Sequence, residues 1–229
     1  MWYKIKRVLT WVNGEEKQIY PASGIPTDWL LAYYPLVEDA NDHKADLWVT
    51  WTTYNWTWQG TANYWTVWWK TSALFSRWSN RINTGLSRNS LPTSICATFY
   101  HTTNNDWETI MWNPTWNNSN WFAFRYIGSW NVIVITNGTW TDNDATRNAT
   151  SNVWHSVVMT IQSWTTKVYL DWNLEYTLNS GNGWWSTFYI ASYGSYTTYW
   201  FNWYIRDVCI YDKVLSADEV AMYHKKVIN

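Results

Sequence analysis

The sequence predicts an all-β sandwich or barrel closed by one short helix near its end, and three observations carry that expectation. From about residue 28 onward, at least ten short runs rich in Val, Ile, Tyr, Phe and Thr alternate with polar residues. These runs are divided by Asn, Ser, Thr and Gly at the spacing of sandwich or barrel strands. Helical signals gather in one place only, from Ser216 to Tyr223.

Taken in order, residues 1–27 form an appended element: a hairpin around Asn13-Gly14 and a Pro- and Gly-bearing linker that ends at Pro26. The basic start is followed by an apolar stretch that soon meets Glu15 and Glu16, which is not the pattern of a signal peptide. Residues 28–229 form the β-domain. Its strands are expected at LLAYYPL, RINTGL, SICATFYHT, ETIMW, FAFRYIG, NVIVIT, HSVVMTIQ, KVYLDW, TFYIASY and YIRDVCIYD. In the closing helix Ser216 is the N-cap and Glu219 its capping-box partner. No apolar run approaches the roughly 20 residues of a membrane-spanning helix.

Composition removes further classes. Charged residues are 14% of the 229 and the net charge is -1, without a Lys or Arg cluster, so a nucleic-acid partner is not expected. Cys96 and Cys209 lie in apolar strand-like runs, the setting of small buried thiols. Tryptophan is anomalous, with 24 residues against 9 glycines. Trp29, Trp56, Trp107, Trp121, Trp164, Trp172 and Trp203 each follow Asp, Asn or Ser, where glycine is the usual turn residue. In KVYLDWNLEYTL, a glycine at Trp172 would make an ordinary hairpin. Two readings follow. Most of these tryptophans stand for glycines, read from a UGA codon that some genetic codes assign to glycine, or they form a genuine aromatic surface for stacking on sugars. Trp154, opening a strand in VWHSVVMTI, is expected to be a true tryptophan.

Three blocks resemble the laminin-G-like, concanavalin A-like lectin/glucanase superfamily: LLAYYPLVEDANDHKADLWVTWT, VWHSVVMTIQSWTTKVYLDWNLEYT and FNWYIRDVCIYDKVLSADEVAMY. The second is similar to that family's W-H-x-V hairpin ending in V-D-G, and the third to its closing strand and helix, with Phe201, Ile205, Asp207, Val208, Ile210, Tyr211, Leu215, Ser216 and Glu219 in register. Trp172 and Trp203 occupy glycine positions of the pattern. The resemblance implies a two-sheet antiparallel jelly-roll sandwich that binds carbohydrate or another cell-surface ligand, outside the cell or on a virion. Residues 1–27 are similar to leading segments of some phage tail and virion proteins, which implies the alternative of a structural or receptor-binding part of a tail or virion surface.

Glycosidases on this fold carry clustered carboxylates about 5 Å apart on an inner strand. The acids here fall in DWE, DND and SADE, none of which makes such a cluster, and the four histidines show no helical metal spacing, so an enzyme is not expected. For a sugar, Tyr100, His101, Arg125 and Tyr126 lie in neighbouring predicted strands and would share a face, offering rings and hydrogen-bonding groups. Asp39, Asn41 and Asp42 offer three oxygen-bearing side chains within four residues, suited to Ca²⁺ or simply to a turn. The resemblance adds Asp207 to that set.

Overall fold

The computed structural model describes residues 8–12, 15–20, 25–37, 57–59, 64–75, 81–87, 93–102, 108–113, 122–127, 132–137, 143–147, 149–163, 165–179, 187–191 and 203–229. In chain order the strands are β1 (Val8–Val12), β2 (Glu15–Tyr20), β3 (Leu30–Tyr34), β4 (Thr57–Gln59), β5 (Tyr64–Val67), β6 (Lys70–Leu74), β7 (Arg81–Ser87), β8 (Thr93–Tyr100), β9 (Glu108–Asn113) and β10 (Phe122–Ile127). They continue as β11 (Val132–Asn137), β12 (Asn143–Arg147), β13 (Trp154–Gln162), β14 (Thr165–Leu170), β15 (Asn173–Leu178), β16 (Thr187–Ile190) and β17 (Tyr204–Tyr211), followed by helix α1 (Ala217–Ile228).

Strands β1 and β2 form a two-stranded sheet among the described residues; the expected Asn13-Gly14 link between them lies outside those residues. The rest form two antiparallel sheets. One has the order β12-β11-β10-β9-β16-β7-β4, the other β15-β14-β13-β8-β17-β6-β5 with β3 also on β17. The edge of β17 is shared: Tyr204 and Ile205 pair with β6, whereas Val208 to Tyr211 pair with β3.

Period-two alternation explains why the second sheet is buried on both faces. Along β8, Ile95, Ala97 and Phe99 point into the core between the sheets, where Val157, Met159 and Ile161 of β13 and Ile82, Met111, Phe188 and Ile190 of the first sheet meet them. The alternate residue Cys96 joins Val158, Cys209 and Tyr211 in a second core, covered by Val220, Tyr223 and Val227 of α1 and by Ile25. Ile25 therefore packs with the sandwich although it precedes the expected start at residue 28. Cys96 and Cys209 are register partners and buried thiols outside any disulfide, and burial pushes the Cys96 thiol well above its usual range.

The helix is longer than expected, continuing past Tyr223 to Ile228, because Val227 still faces the second core. Its start follows the expectation, with Ser216 and Glu219 closing a reciprocal capping box.

Two hairpin links have tryptophan where left-handed backbone is required. Trp68 and Trp69 join β5 to β6 with φ of 48° and 53°, and Asp171 and Trp172 join β14 to β15 with 46° and 64°. Positive φ at both central residues is the signature of a type I′ turn, the usual home of Asn-Gly or Gly-Gly. At Trp29, φ is 62° in a turn where the Leu30 amide donates to the Thr27 carbonyl at 3.2 Å. Of the other non-glycine residues with positive φ, Asn152 and Asp207 are, like Asp171, of types that tolerate it, while Leu36 and Ala191 are wholly buried and held by packing.

Candidate functional site

The four sugar-binding candidates do not share a face. Tyr100 and His101 lie at the end of β8 in the second sheet, and Arg125 and Tyr126 lie in β10 of the first. Sequence order misled because β8 sits between β13 and β17, whereas β10 sits between β9 and β11. His101 is wholly buried, its Nε2 is 3.1 Å from the Ala149 carbonyl and its ring stacks on Phe99. Tyr100 is almost covered, packed against Trp154 and Tyr204 at ring-centroid separations of 5.4 and 5.9 Å. The Trp68 indole N–H reaches its hydroxyl at 3.4 Å. Trp154 is 7% exposed, the packing expected of a true tryptophan.

Asp207 is buried at a bulge in β17, with φ of 50°, and its amide donates to the Pro35 carbonyl. Its Oδ1 accepts from the Tyr33 hydroxyl at 2.9 Å and its Oδ2 from Arg206 Nε. Burial, then the Asp207 charge, raises the Tyr33 phenol far above the usual range and keeps it a donor. Held by a guanidinium and a phenol, Asp207 anchors the bulge of β17. Asp39, Asn41 and Asp42 lie outside the described residues, and among the described residues no group of three metal-binding side chains converges.

A second polar cluster lies where the β14–β15 link meets α1. Asp171 Oδ2 is 2.7 Å from His155 Nδ1, and its Oδ1 accepts from the Ser156 amide at 2.9 Å. Ser156 Oγ is 2.7 Å from His224 Nδ1, and the Trp172 ring lies edge-on to His224 at 4.3 Å. A nucleophile relay needs serine and aspartate on opposite nitrogens of one imidazole. Here both approach the same atom, with Asp171 Oδ1 3.7 Å from His224 Nδ1, and Ser156 is buried. The cluster therefore ties the hairpin to the helix. Burial lowers the pKa of His224, an effect that outweighs the opposing pull of Asp171.

The outer side of the first sheet carries a grouping that sequence reasoning missed. Ile82 and Ile190 point into the core, so the alternating Arg81, Asn83 and Tyr189 are turned outward and are partly exposed. Register sets Thr57, Asn83, Tyr189, Trp112 and Ala123 in one row across β4, β7, β16, β9 and β10. The Arg81 guanidinium lies over the Tyr189 ring, 5.4 Å from its centroid. An aromatic ring, a guanidinium and a carboxamide, each partly exposed on one sheet face, can offer stacking and directional hydrogen bonds together. Polar-apolar alternation in RINT and TFYI marked the outward residues, but the juxtaposition of β7 with β16 is a long-range pairing that no local pattern announces.

The sequence pattern of the Concanavalin A-like lectin/glucanases superfamily matches residues 79–221. Among characterised proteins no sequence matches the chain. Solved structures do. Domain 4 of AbnA, a GH43 extracellular arabinanase from Geobacillus stearothermophilus seen with arabinotriose, is similar at a TM-score of 0.68 and 15% identity, over 85% of this chain and 98% of that one. Botulinum neurotoxin type C, whose uptake into cells depends on interaction with two ganglioside molecules, is similar at 0.61 and 13%, over 87% of this chain and 51% of that one. The binding domain of botulinum neurotoxin DC in complex with SialylT gives 0.61 and 16%, again over 87% of this chain and 52% of that one. At these identities the likeness is one of fold, a concanavalin A-like jelly roll.

Proposed function

Because the chain belongs to the concanavalin A-like lectin/glucanase superfamily, we propose that it is a non-catalytic carbohydrate-binding module working outside the cell. The observation that carries this reading is the Arg81–Tyr189 pair with Asn83 beside it, partly exposed on the outward side of the first sheet. A pyranose or furanose presents an apolar face of C–H groups to an aromatic ring while its hydroxyls need donors and acceptors around the rim. Tyr189 supplies the ring, and Arg81 and Asn83 supply the rim. Binding of this kind requires no proton transfer, and the polar cluster at Asp171 has the geometry of a clasp rather than a relay.

The structurally similar domains support the ligand class, since one was seen with arabinotriose and the type C neurotoxin depends on two ganglioside molecules for cell entry. The test is binding of the purified chain to a glycan array that includes arabino-oligosaccharides and sialylated ganglioside glycans, followed by calorimetry on the best ligand. Tyr189→Ala and Arg81→Ala should each weaken binding by about tenfold, about 1.4 kcal/mol, with an unchanged circular dichroism spectrum. Full binding by both variants would place the ligand elsewhere. Absence of binding across the array by well-folded protein would overturn the carbohydrate reading, and release of reducing ends from a bound polysaccharide would overturn the non-catalytic part.

A further inference from the structure

We infer that positions 29, 68, 69 and 172 carry glycine in the protein as its own source makes it, through a codon that source decodes as glycine and that is written here as tryptophan. Backbone geometry is the first ground. Among the seven tryptophans whose side chains are described, Trp29, Trp68, Trp69 and Trp172 have positive φ, whereas only a few per cent of non-glycine residues do. All four fall in links where turn chemistry asks for glycine: the two type I′ positions of the β5–β6 link, the second position of the β14–β15 link, and the third residue of the turn closed by Leu30 and Thr27.

Burial is the second, independent ground. A strained large residue persists where packing over-determines it, as at Leu36 and Ala191, both wholly buried. The four tryptophans are instead 63%, 59%, 84% and 52% exposed. Trp68 donates to the Tyr100 hydroxyl and Trp172 meets His224 edge-on, but none of the four is enclosed as Leu36 and Ala191 are. Trp154, 7% exposed and packed on Tyr100, behaves as a tryptophan should. Trp203 is intermediate: its φ is not left-handed, but its indole Nε1 is buried with no acceptor among the described residues.

The inference changes one surface and spares another. Trp68 lies over the Tyr100 hydroxyl, so glycine there bares the Tyr100–Tyr204 ring pair at the β5–β6 end of the second sheet. Arg81, Asn83 and Tyr189 lie on the first sheet, so the proposed carbohydrate site stands or falls separately.

The experiment is intact-mass and tandem mass spectrometry of the protein isolated from its native source, each tryptophan replaced by glycine lowering the mass by about 129 Da. Glycine at positions 29, 68, 69 and 172, with tryptophan kept at 154, is the expected result. Tryptophan at any of the four, or glycine at 154, overturns the inference.

Discussion

Replacing Trp68 and Trp69 together by glycine should raise the stability of the chain as written, although it deletes two of the largest side chains. An L-residue in left-handed backbone costs roughly 1–2 kcal/mol, so φ values of 48° and 53° store about 2–4 kcal/mol at the two positions. Against this, glycine has greater freedom in the unfolded chain, a loss of about 0.5–1 kcal/mol per site. The contacts forfeited are few, since Trp68 and Trp69 are 59% and 84% exposed. They are an edge-on ring contact between the two and a 3.4 Å hydrogen bond from Trp68 to Tyr100. The net gain is about 1–2 kcal/mol, or a rise in Tm of about 4 °C for a chain of this length. Thermal melts followed by circular dichroism measure it. The decisive control is the Trp68→Ala, Trp69→Ala double variant, which loses the same indoles but keeps the Cβ atoms that cause the strain, and should not rise. An alanine variant as stable as the glycine variant, or a glycine variant that melts below the parent, would refute the reasoning.

Two further outcomes follow from the buried polar groups. Burial lowers the pKa of His224 from 6.5, so the unfolded chain binds its proton more readily than the folded one. The stability this contributes is complete above about pH 6.5 and is lost as pH falls through the lowered folded value. Melts across about pH 5 to 8 should show a shallower acid-side decline in His224→Gln than in the parent; an identical slope would remove His224 from the account. Asp207→Ala should destabilise by about 3 kcal/mol, because it leaves Arg206 and Tyr33 facing a vacated site, and urea unfolding would read it. A calcium-dependent rise in Tm that persists in Asp207→Ala and is lost when Asp39 and Asp42 are replaced by Ala would assign the ion to the Asp39, Asn41 and Asp42 segment without Asp207.

Much of the fold was legible because its determinants are local. The alternation in SICATFYHT and HSVVMTIQ marked β8 and β13, the Asn13-Gly14 link marked the first hairpin, and the Ser216–Glu219 pair marked the start of α1. In the second family block, His155 and Asp171 are joined at 2.7 Å, which ties the β14–β15 link to β13. The turn positions of Trp29 and Trp172 were also visible, since Asp before an otherwise unexplained tryptophan points to a turn, and both have left-handed backbone.

Strand order could not be read, and the site depended on it. Tyr100 and Arg125 look adjacent along the chain, yet β8 and β10 belong to opposite sheets. Arg81 and Tyr189, more than a hundred residues apart, meet because β16 inserts between β9 and β7. Sequence by itself marked ten strands of the two sheets, the turn at Asp171-Trp172 and the helix cap, all set by steric and hydrogen-bonding preferences within a few residues, but not β4, β5, β6 or β12. Only tertiary structure decided which outward residues became neighbours and which polar groups were buried. Cross-strand pairing is selected by burial of the whole core, and its local signature is shared by many alternative orders.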